Sequence, residues 1–181
     1  MNKILQIAGL TLLLVVSGAC ESRTDKTDGG GVLLSVSDFD GLPIQVFVNL
    51  PVVQIESITI DNIVKDPAGS SSDLMNVEME SYQVTFARRD AGTRLPPAYT
   101  ASIFGVAPAG GNVTYDNLPF MGSAQLTNPP LSDLLIQNGG FDKETGDQAI
   151  ILDITMVFFG RTLTGDPVST APIRFTVEFV P

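Results

Sequence analysis

The feature that most constrains this chain is an alternation of apolar and other residues with a period of two. Even positions are apolar throughout one C-terminal stretch, at Ile150, Leu152, Ile154, Met156 and Phe158. A second stretch repeats the pattern at odd positions, from Ile173 to Phe179. A period of two places one set of side chains on a single face of a β-strand, whereas a helix requires 3.6 residues per turn. The chain is therefore predicted to fold mainly into β-strands.

Six further runs of this kind precede the C-terminal pair, at residues 32–37, 44–49, 54–60, 77–89, 98–104 and 112–118. Turn residues rich in Gly, Pro, Asn and Asp separate them. This pattern predicts an all-β fold, a two-layer antiparallel sandwich of about seven to nine strands with one short helix. The ending FGRTLTGDPVSTAPIRFTVEF resembles the closing hairpin of an immunoglobulin-like bacterial surface domain. That resemblance implies an immunoglobulin-like arrangement of the sandwich.

The run at residues 77–89 changes phase part of the way along. Val77 and Met79 are apolar at odd positions, whereas Tyr82, Val84 and Phe86 are apolar at even positions. One inserted residue would return both halves to the same face of the sheet. We therefore predict a β-bulge at Ser81–Tyr82.

A single helix is predicted at residues 128–139. Asn128 is a suitable N-cap, Pro129 fits the first turn, and Gly139 would end the helix. Leu131, Leu134 and Leu135 would share one face. We expect this helix to cover part of the core.

Residues 1–20, MNKILQIAGLTLLLVVSGAC, have the composition of an export signal that ends at a cysteine. Lys3 supplies a positive start, residues 4–16 form a short apolar run, and small residues precede Cys20. The apolar run is shorter than the roughly 20 residues that a membrane-spanning helix needs. The stretch resembles the signal of bacterial lipoproteins, which implies that Cys20 is lipidated and becomes the first residue of the mature protein.

The lipoprotein resemblance divides the chain into three parts. They are a signal peptide at residues 1–19, a lipidated cysteine with a flexible polar tether at 20–31, and a β-sandwich domain at 32–181. It also implies an exported protein whose lipid anchor binds a membrane of the cell envelope. Glu21 follows the cysteine where an inner-membrane retention signal has aspartate, which resembles sorting to the outer membrane of a Gram-negative bacterium.

Composition removes several classes of function. The chain has 10 basic and 20 acidic residues, a net charge of −10, no histidine and one cysteine. Nucleic acid is not expected as a partner, because phosphate binding needs clustered Lys and Arg. The lack of histidine excludes Ser-His-Asp and Cys-His mechanisms and His-ligated zinc.

We therefore expect a protein that is not an enzyme, a binding or structural domain whose partner is an unknown envelope protein or polymer. The alternative is an envelope hydrolase that uses carboxylates, alone or with Ca²⁺. Glu78 and Glu80 share one strand face about 7 Å apart, which would suit such an enzyme only if both lined a cleft. Their neighbours Val77, Met79 and Ser81 indicate instead the solvent face of a strand.

No cofactor is expected, and calcium is a minor hypothesis. The candidate ligands are acids in turns and at strand ends: Asp38, Asp40, Asp142, Glu144 and Asp147. Calcium prefers several oxygens from such loops, but the spacing does not match an EF-hand, because Gly146 occupies a ligand position. Solvated turn acids are the ordinary alternative. The sequence Arg88-Arg89-Asp90 is similarly interpreted as surface charge.

Three apolar residues lie on the second face of the strand at residues 149–159, namely Ile151, Val157 and Phe159. A strand with one solvated face should carry polar residues there. We expect these three to be covered by the leucines of the predicted helix or by residues 118–121. The alternative is an exposed apolar patch that binds a partner.

Overall fold

The computed structural model describes residues 28–181, so that the predicted export signal, Cys20 and the first residues of the predicted tether lie outside the described residues. No helix in this described part is long and apolar enough to cross a bilayer. These residues form ten strands: β1 Asp28–Gly29, β2 Val32–Asp40, β3 Gln45–Phe47, β4 Val53–Val64, β5 Val77–Arg88, β6 Tyr99–Ala107, β7 Asn112–Met121, β8 Ile150–Thr162, β9 Pro167–Ser169 and β10 Ile173–Val180. The helical elements are α1 Ser123–Leu126 and single 3₁₀ turns at Asp73–Met75, Leu131–Leu134 and Ile136–Asn138.

The strands form two sheets that pack face to face, which confirms the predicted all-β sandwich. One sheet has the order β1-β2-β4-β7, and the other has the order β3-β10-β8-β5-β6, with β9 paired to β8. Two short strands, β1 and β9, raise the count above the seven to nine expected. The predicted sandwich is antiparallel, but β3 pairs with β10 in parallel. This pairing is possible because the chain crosses from one sheet to the other between β2 and β3.

The core lies between the two sheets. The even positions of β8 from 150 to 158 are fully buried, as the alternation predicts. The opposite sheet contributes Ile55, Ile58 and Ile60 from β4. The largest buried side chains are Tyr82, Phe120, Phe158 and Phe179. Tyr82 satisfies its hydroxyl by donating a hydrogen bond to the Pro119 carbonyl oxygen of the other sheet, at 2.5 Å.

The β-bulge predicted in β5 is present, one residue earlier than expected. Against β8 the register shifts between Met79 and Ser81 because Glu80 is an extra residue of β5. Against β6 it shifts at the same place, but there the extra residue belongs to β6, between Ser102 and Gly105. Val77 and Met79 before the bulge and Tyr82 after it all face the core. β5 therefore keeps one buried face along its whole length.

A glycine in β8 accommodates this bulge. Gly160 lies opposite Met79, and a Cβ atom there would approach the Glu78 carbonyl oxygen to 2.7 Å. Contacts that short are not tolerated, so the bulge can approach β8 only where the partner residue has no side chain.

The predicted helix at residues 128–139 is wrong. The only α-helical turn of the described residues is α1, which ends just before that segment. The side chain of Asn128 does not cap a following helix, because its amide donates to the Ala124 carbonyl oxygen at 2.8 Å. Two consecutive prolines follow, Pro129 and Pro130, and a residue that precedes a proline is biased away from the helical conformation. The segment forms 3₁₀ turns instead, and Leu131 and Leu134 still enter the core.

The last part of the predicted tether forms a hairpin. Asp28 pairs with Leu33 and Gly29 with Val32. Gly30 and Gly31 make the connecting turn with φ of 54° and 79°, which suits a two-residue type I′ turn. The chain therefore joins the sandwich at Asp28, beside the end of β8.

Candidate functional site

Charged side chains cluster at the end of the sandwich where β5 finishes and β8 begins. They come from the end of β5, from the loop that follows it, and from the segment between α1 and β8. We call this cluster the ion-pair network, and its members are Arg88, Asp90, Arg94, Asp133, Asp142, Lys143 and Glu144.

The ion-pair network is centred on a buried pair. The Arg88 Nη2 atom lies 2.7 Å from the Asp142 Oδ2 atom, and their side chains are 3% and 0% exposed. The Nε atom of the same arginine donates to Asp90 Oδ1 at 2.5 Å. Arg88 thus bridges two carboxylates with its own planar group, a geometry that lysine cannot reproduce.

A second arginine approaches the network from the loop after β5. The Arg94 Nη2 atom lies 2.7 Å from Asp133 Oδ2 and 3.1 Å from Asp142 Oδ1. Each oxygen of Asp142 is therefore paired with a different arginine. Lys143 adds a third contact, 3.1 Å from Asp133 Oδ1. The positive and negative charges of the network nearly balance.

The network also holds backbone groups of the surrounding loops. Asp90 accepts hydrogen bonds from the backbone N–H groups of Gly92 and Ile151, at 3.0 and 3.2 Å. Glu144 accepts one from the Arg94 N–H at 3.0 Å and one from the Thr93 hydroxyl. Two loops that are distant in sequence are thus fastened to each other and to the start of β8.

The environment of Asp142 favours its ionised form. Burial by itself would raise the pKa of Asp142, but hydrogen bonds from Arg88, from the Glu144 N–H and from the Thr145 hydroxyl outweigh it and lower the pKa to about 2. Burial would likewise raise the pKa of Asp90, and Arg88 and two backbone N–H groups lower it. Both carboxylates are therefore charged over the whole neutral range.

This shift predicts a loss of stability in acid. A carboxyl group with a lower pKa in the folded state stabilises the fold above its unfolded pKa, near 4, and this contribution disappears as the pH falls towards 2. We expect Asp142 to contribute about 2 kcal/mol to that loss. Urea unfolding at pH 6, 4, 3 and 2 measures it, with D142N as the comparison. An equally steep decline in D142N would contradict the assignment.

The five predicted calcium ligands are not brought together. Asp142 and Glu144 belong to the ion-pair network, and the Asp142 N–H donates to the Asp147 carbonyl oxygen at 2.8 Å. Asp38 and Asp40 lie on the other sheet, where Asp38 accepts from the Phe39 N–H at 2.8 Å. Within residues 28–181, no group of three or more Asp, Glu, Cys or His side chains is arranged to hold a metal ion. Calcium binding stays a prediction.

The interpretation of Arg88-Arg89-Asp90 as surface charge is wrong for the first residue. Arg88 is 3% exposed, whereas Arg89 is 62% exposed. A signal for this was present in the sequence, because Arg88 continues the even-numbered, core-facing series of Tyr82, Val84 and Phe86. An arginine in that phase must either be buried with a partner or interrupt the strand.

The outer face of β8 is only partly covered. Ile151 and Val157 are half-buried and Phe159 is 37% exposed. The covering segments expected from the sequence lie elsewhere, since Leu131, Leu134, Phe120 and Met121 are all in the core between the sheets. The neighbours on the outer face are polar instead: Gln83 lies beside Val157, and Ser81 and Ser169 lie beside Phe159. Partner binding by Ile151, Val157 and Phe159 stays a prediction.

A shallow groove lies on the same outer face, between β5 and β6. It has a volume of about 520 Å³ and is lined by Glu78, Met79, Glu80, Ser102, Phe104, Gly105 and Val106. Both glutamates are exposed, and Glu80 Oε1 lies 3.3 Å from the Nε atom of Arg161. Phe104, which is 88% exposed, lies on the β6 side of the groove, whereas the Glu80 carboxylate reaches Arg161 on the β8 side of β5.

No family model, curated protein or solved structure matches this chain. The two packed sheets define the protein as an all-β sandwich. The immunoglobulin-like resemblance of its last hairpin stays a prediction.

Proposed function

We propose that this protein is an exported lipoprotein, anchored through Cys20, whose sandwich acts as a non-catalytic binding or structural domain of the cell envelope. The anchor rests on the resemblance of residues 1–20 to a lipoprotein signal. The class of function rests on the absence of histidine and on the chemistry of the charged groups.

The main support for a non-catalytic role is that the most buried carboxylate of the ion-pair network is already fully paired. Both oxygens of Asp142, the most buried carboxylate, are held by arginines. A catalytic acid or base needs a pKa near the working pH and a free path to its substrate. A carboxylate with a pKa of about 2 and four hydrogen-bond donors instead fastens loops together, which suits a domain that presents a rigid surface.

The orientation of the domain relative to the membrane follows from the position of its N-terminal hairpin. Gly30 packs against Thr162, at the end of β8, whereas the network lies beside Leu152 through its pairing with Arg88. Ten residues of strand separate these points, roughly 33 Å. A lipid at Cys20 would therefore hold the hairpin end near the membrane and leave the network end farthest from it.

The geometry disfavours the alternative of a carboxylate-dependent hydrolase. Such an enzyme needs one carboxyl group kept protonated by an apolar environment and a second one kept ionised. Glu78 and Glu80 are both exposed on the groove. Glu80 Oε1 also lies 3.3 Å from the Nε atom of Arg161, so that this carboxylate already has a partner within the protein.

Replacing Cys20 tests the proposal. In a bacterial host with a lipoprotein pathway, the wild-type chain should enter the detergent phase of a Triton X-114 extraction, because acyl chains bind membranes and detergent. C20A should move to the aqueous phase or retain its signal peptide. S22A, two residues away, is the matched control and should behave like the wild type. Recovery of the wild-type chain in the aqueous phase would disprove the anchor.

A further inference from the structure

Within the described residues the two sheets have five edge strands, β1, β3, β6, β7 and β9, and four of them are protected against further pairing. β1 contains two residues, and β3 and β9 contain three each. β7 is longer, but it contains Asp116 and Pro119, and Asn117 adopts a φ of 52° that disturbs the strand. Short length, charge, proline and backbone irregularity are the usual means of preventing strand addition.

β6 is the exception. It is nine residues long, its sequence YTASIFGVA has no charge and no proline, and in the described part of the chain it pairs only with β5. One row of its backbone N–H and C=O groups therefore has no strand partner among these residues. β6 has one irregularity, the extra residue between Ser102 and Gly105, but its length and its lack of charge and proline still make it a suitable template for a further strand.

The side chains on the outer face of β6 add an apolar contact. Phe104 is 88% exposed and Val106 is 48% exposed, two positions apart. They line the groove with Glu78 and Glu80. A strand added to β6 would place every second side chain on this outer face, where the methylene stem of a basic residue can pack on Phe104, and the others on the face that continues the core.

The acidic side chains near β6 favour a basic strand over an acidic one as the partner. Glu78 and Glu80 lie one strand behind the edge, about 9.6 Å from an added strand at twice the usual spacing, which a long basic side chain can span. The chain itself has a net charge of −10. A second copy would bring two acidic chains and two pairs of these glutamates together, whereas a basic segment would meet opposite charge.

We propose that β6 binds an extended segment of a partner protein in which basic and apolar residues alternate, by addition of a strand to the six-stranded sheet. This inference rests on the proposed function, because it names the partner class of a non-catalytic binding domain. The binding edge lies outside the ion-pair network and outside the lipid anchor, so that each can be tested separately.

The test uses the full chain in mild detergent and a fluorescent eleven-residue peptide of alternating Lys and Val. A peptide of the same length in which two central Val residues are replaced by Pro has the same charge but cannot extend a sheet. Anisotropy should show at least about tenfold weaker binding of the proline peptide. Hydrogen exchange should show new protection of β6 amides with the first peptide only. Equal affinity for the two peptides would overturn the proposal.

Variants locate the binding edge. F104T removes the apolar side chain but keeps a residue suited to strands, and it should weaken peptide binding about tenfold. I44T is the matched control, because Ile44 is 84% exposed and directly precedes β3, at the opposite edge of the same sheet. The affinity of I44T for the peptide should equal that of the wild type. The double variant E78Q/E80Q should bind more weakly and with less salt dependence. Unchanged affinity in F104T, with an unchanged melting temperature, would overturn the proposal.

Two further results separate this proposal from its alternatives. Sedimentation that shows a concentration-dependent dimer, abolished by F104T, would assign β6 to a second copy of this chain and overturn the proposal. C20A should bind the peptide with wild-type affinity. If the peptide adds no strand but the wild-type chain still enters the detergent phase, only this inference is disproved. If the wild-type chain stays in the aqueous phase but still binds the peptide, only the lipoprotein function is disproved.

Discussion

Replacing Arg88 by methionine is expected to lower the free energy of unfolding by about 3–5 kcal/mol, because it leaves buried carboxylates without their main counter-charge. Arg88 donates to Asp142 and Asp90, and the first of these is fully buried. Methionine retains the apolar length of the side chain, so that the loss comes chiefly from charge and hydrogen bonds. Urea unfolding at pH 7 measures the change.

Arg89 provides the matched control for this experiment. It is the adjacent residue, it is 62% exposed, and its nearest carboxylate atom is 3.8 Å away on Asp153. Exposed pairs of this kind contribute little, so R89M should change the stability by less than about 0.5 kcal/mol. A loss of less than about 1 kcal/mol in R88M, or equal losses in both variants, would contradict the structural role of the network.

Replacing Phe158 by alanine is expected to cost about 3–5 kcal/mol, because the removed ring leaves a cavity in a closely packed core. Phe158 is 0% exposed, and its ring centroid lies 5.6 Å from that of Tyr82. Both rings lie on the face of the six-stranded sheet that meets the opposite sheet. Urea or thermal unfolding of the variant checks the prediction.

The adjacent position tests the alternation itself. Phe159 has the same side chain but points to the outer face and is 37% exposed. F159A should therefore cost only about 1 kcal/mol. Similar losses in F158A and F159A would mean that the outer face of β8 is covered as completely as the core, which would contradict the exposure of Phe159.

The strands could be predicted because their signal is local. Alternation along β8 and β10 reflects two different environments on either side of one strand, and no knowledge of the partner strands is needed to recognise it. The same reasoning located the bulge in β5 to within one residue. A change of phase in a strand with one buried face requires an inserted residue, wherever the neighbouring strands lie.

The segment at residues 128–139 shows the limit of this reasoning. Its leucines have helical spacing, and two of them are buried as an amphipathic helix would bury them. The two prolines, and the side chain of Asn128 that turns back to α1, prevent the helix from starting. The core requires only that these apolar side chains be buried, and consecutive 3₁₀ turns bury them as well as a helix would.

The candidate site was predicted only in part. Asp142 and Glu144 were recognised as neighbouring acids, but their partners Arg88 and Arg94 are about fifty residues earlier in the chain. A calcium ion and an arginine side chain can each neutralise converging carboxylates. The local sequence around Asp142 and Glu144 does not show which kind of cation lies beside them. In this sandwich the end of β5 brings the arginine side chains to that point.

The sequence by itself determined the all-β class, the faces of the long strands and the bulge, because these depend on periodicity within a few residues. It also determined the excess of acidic charge and the absence of histidine, which limit the chemistry available. The tertiary structure alone decided which edges remain open and which charges are paired. Those properties depend on which distant strands and loops become neighbours, and side chains fifty residues apart carry no local signal of their contact.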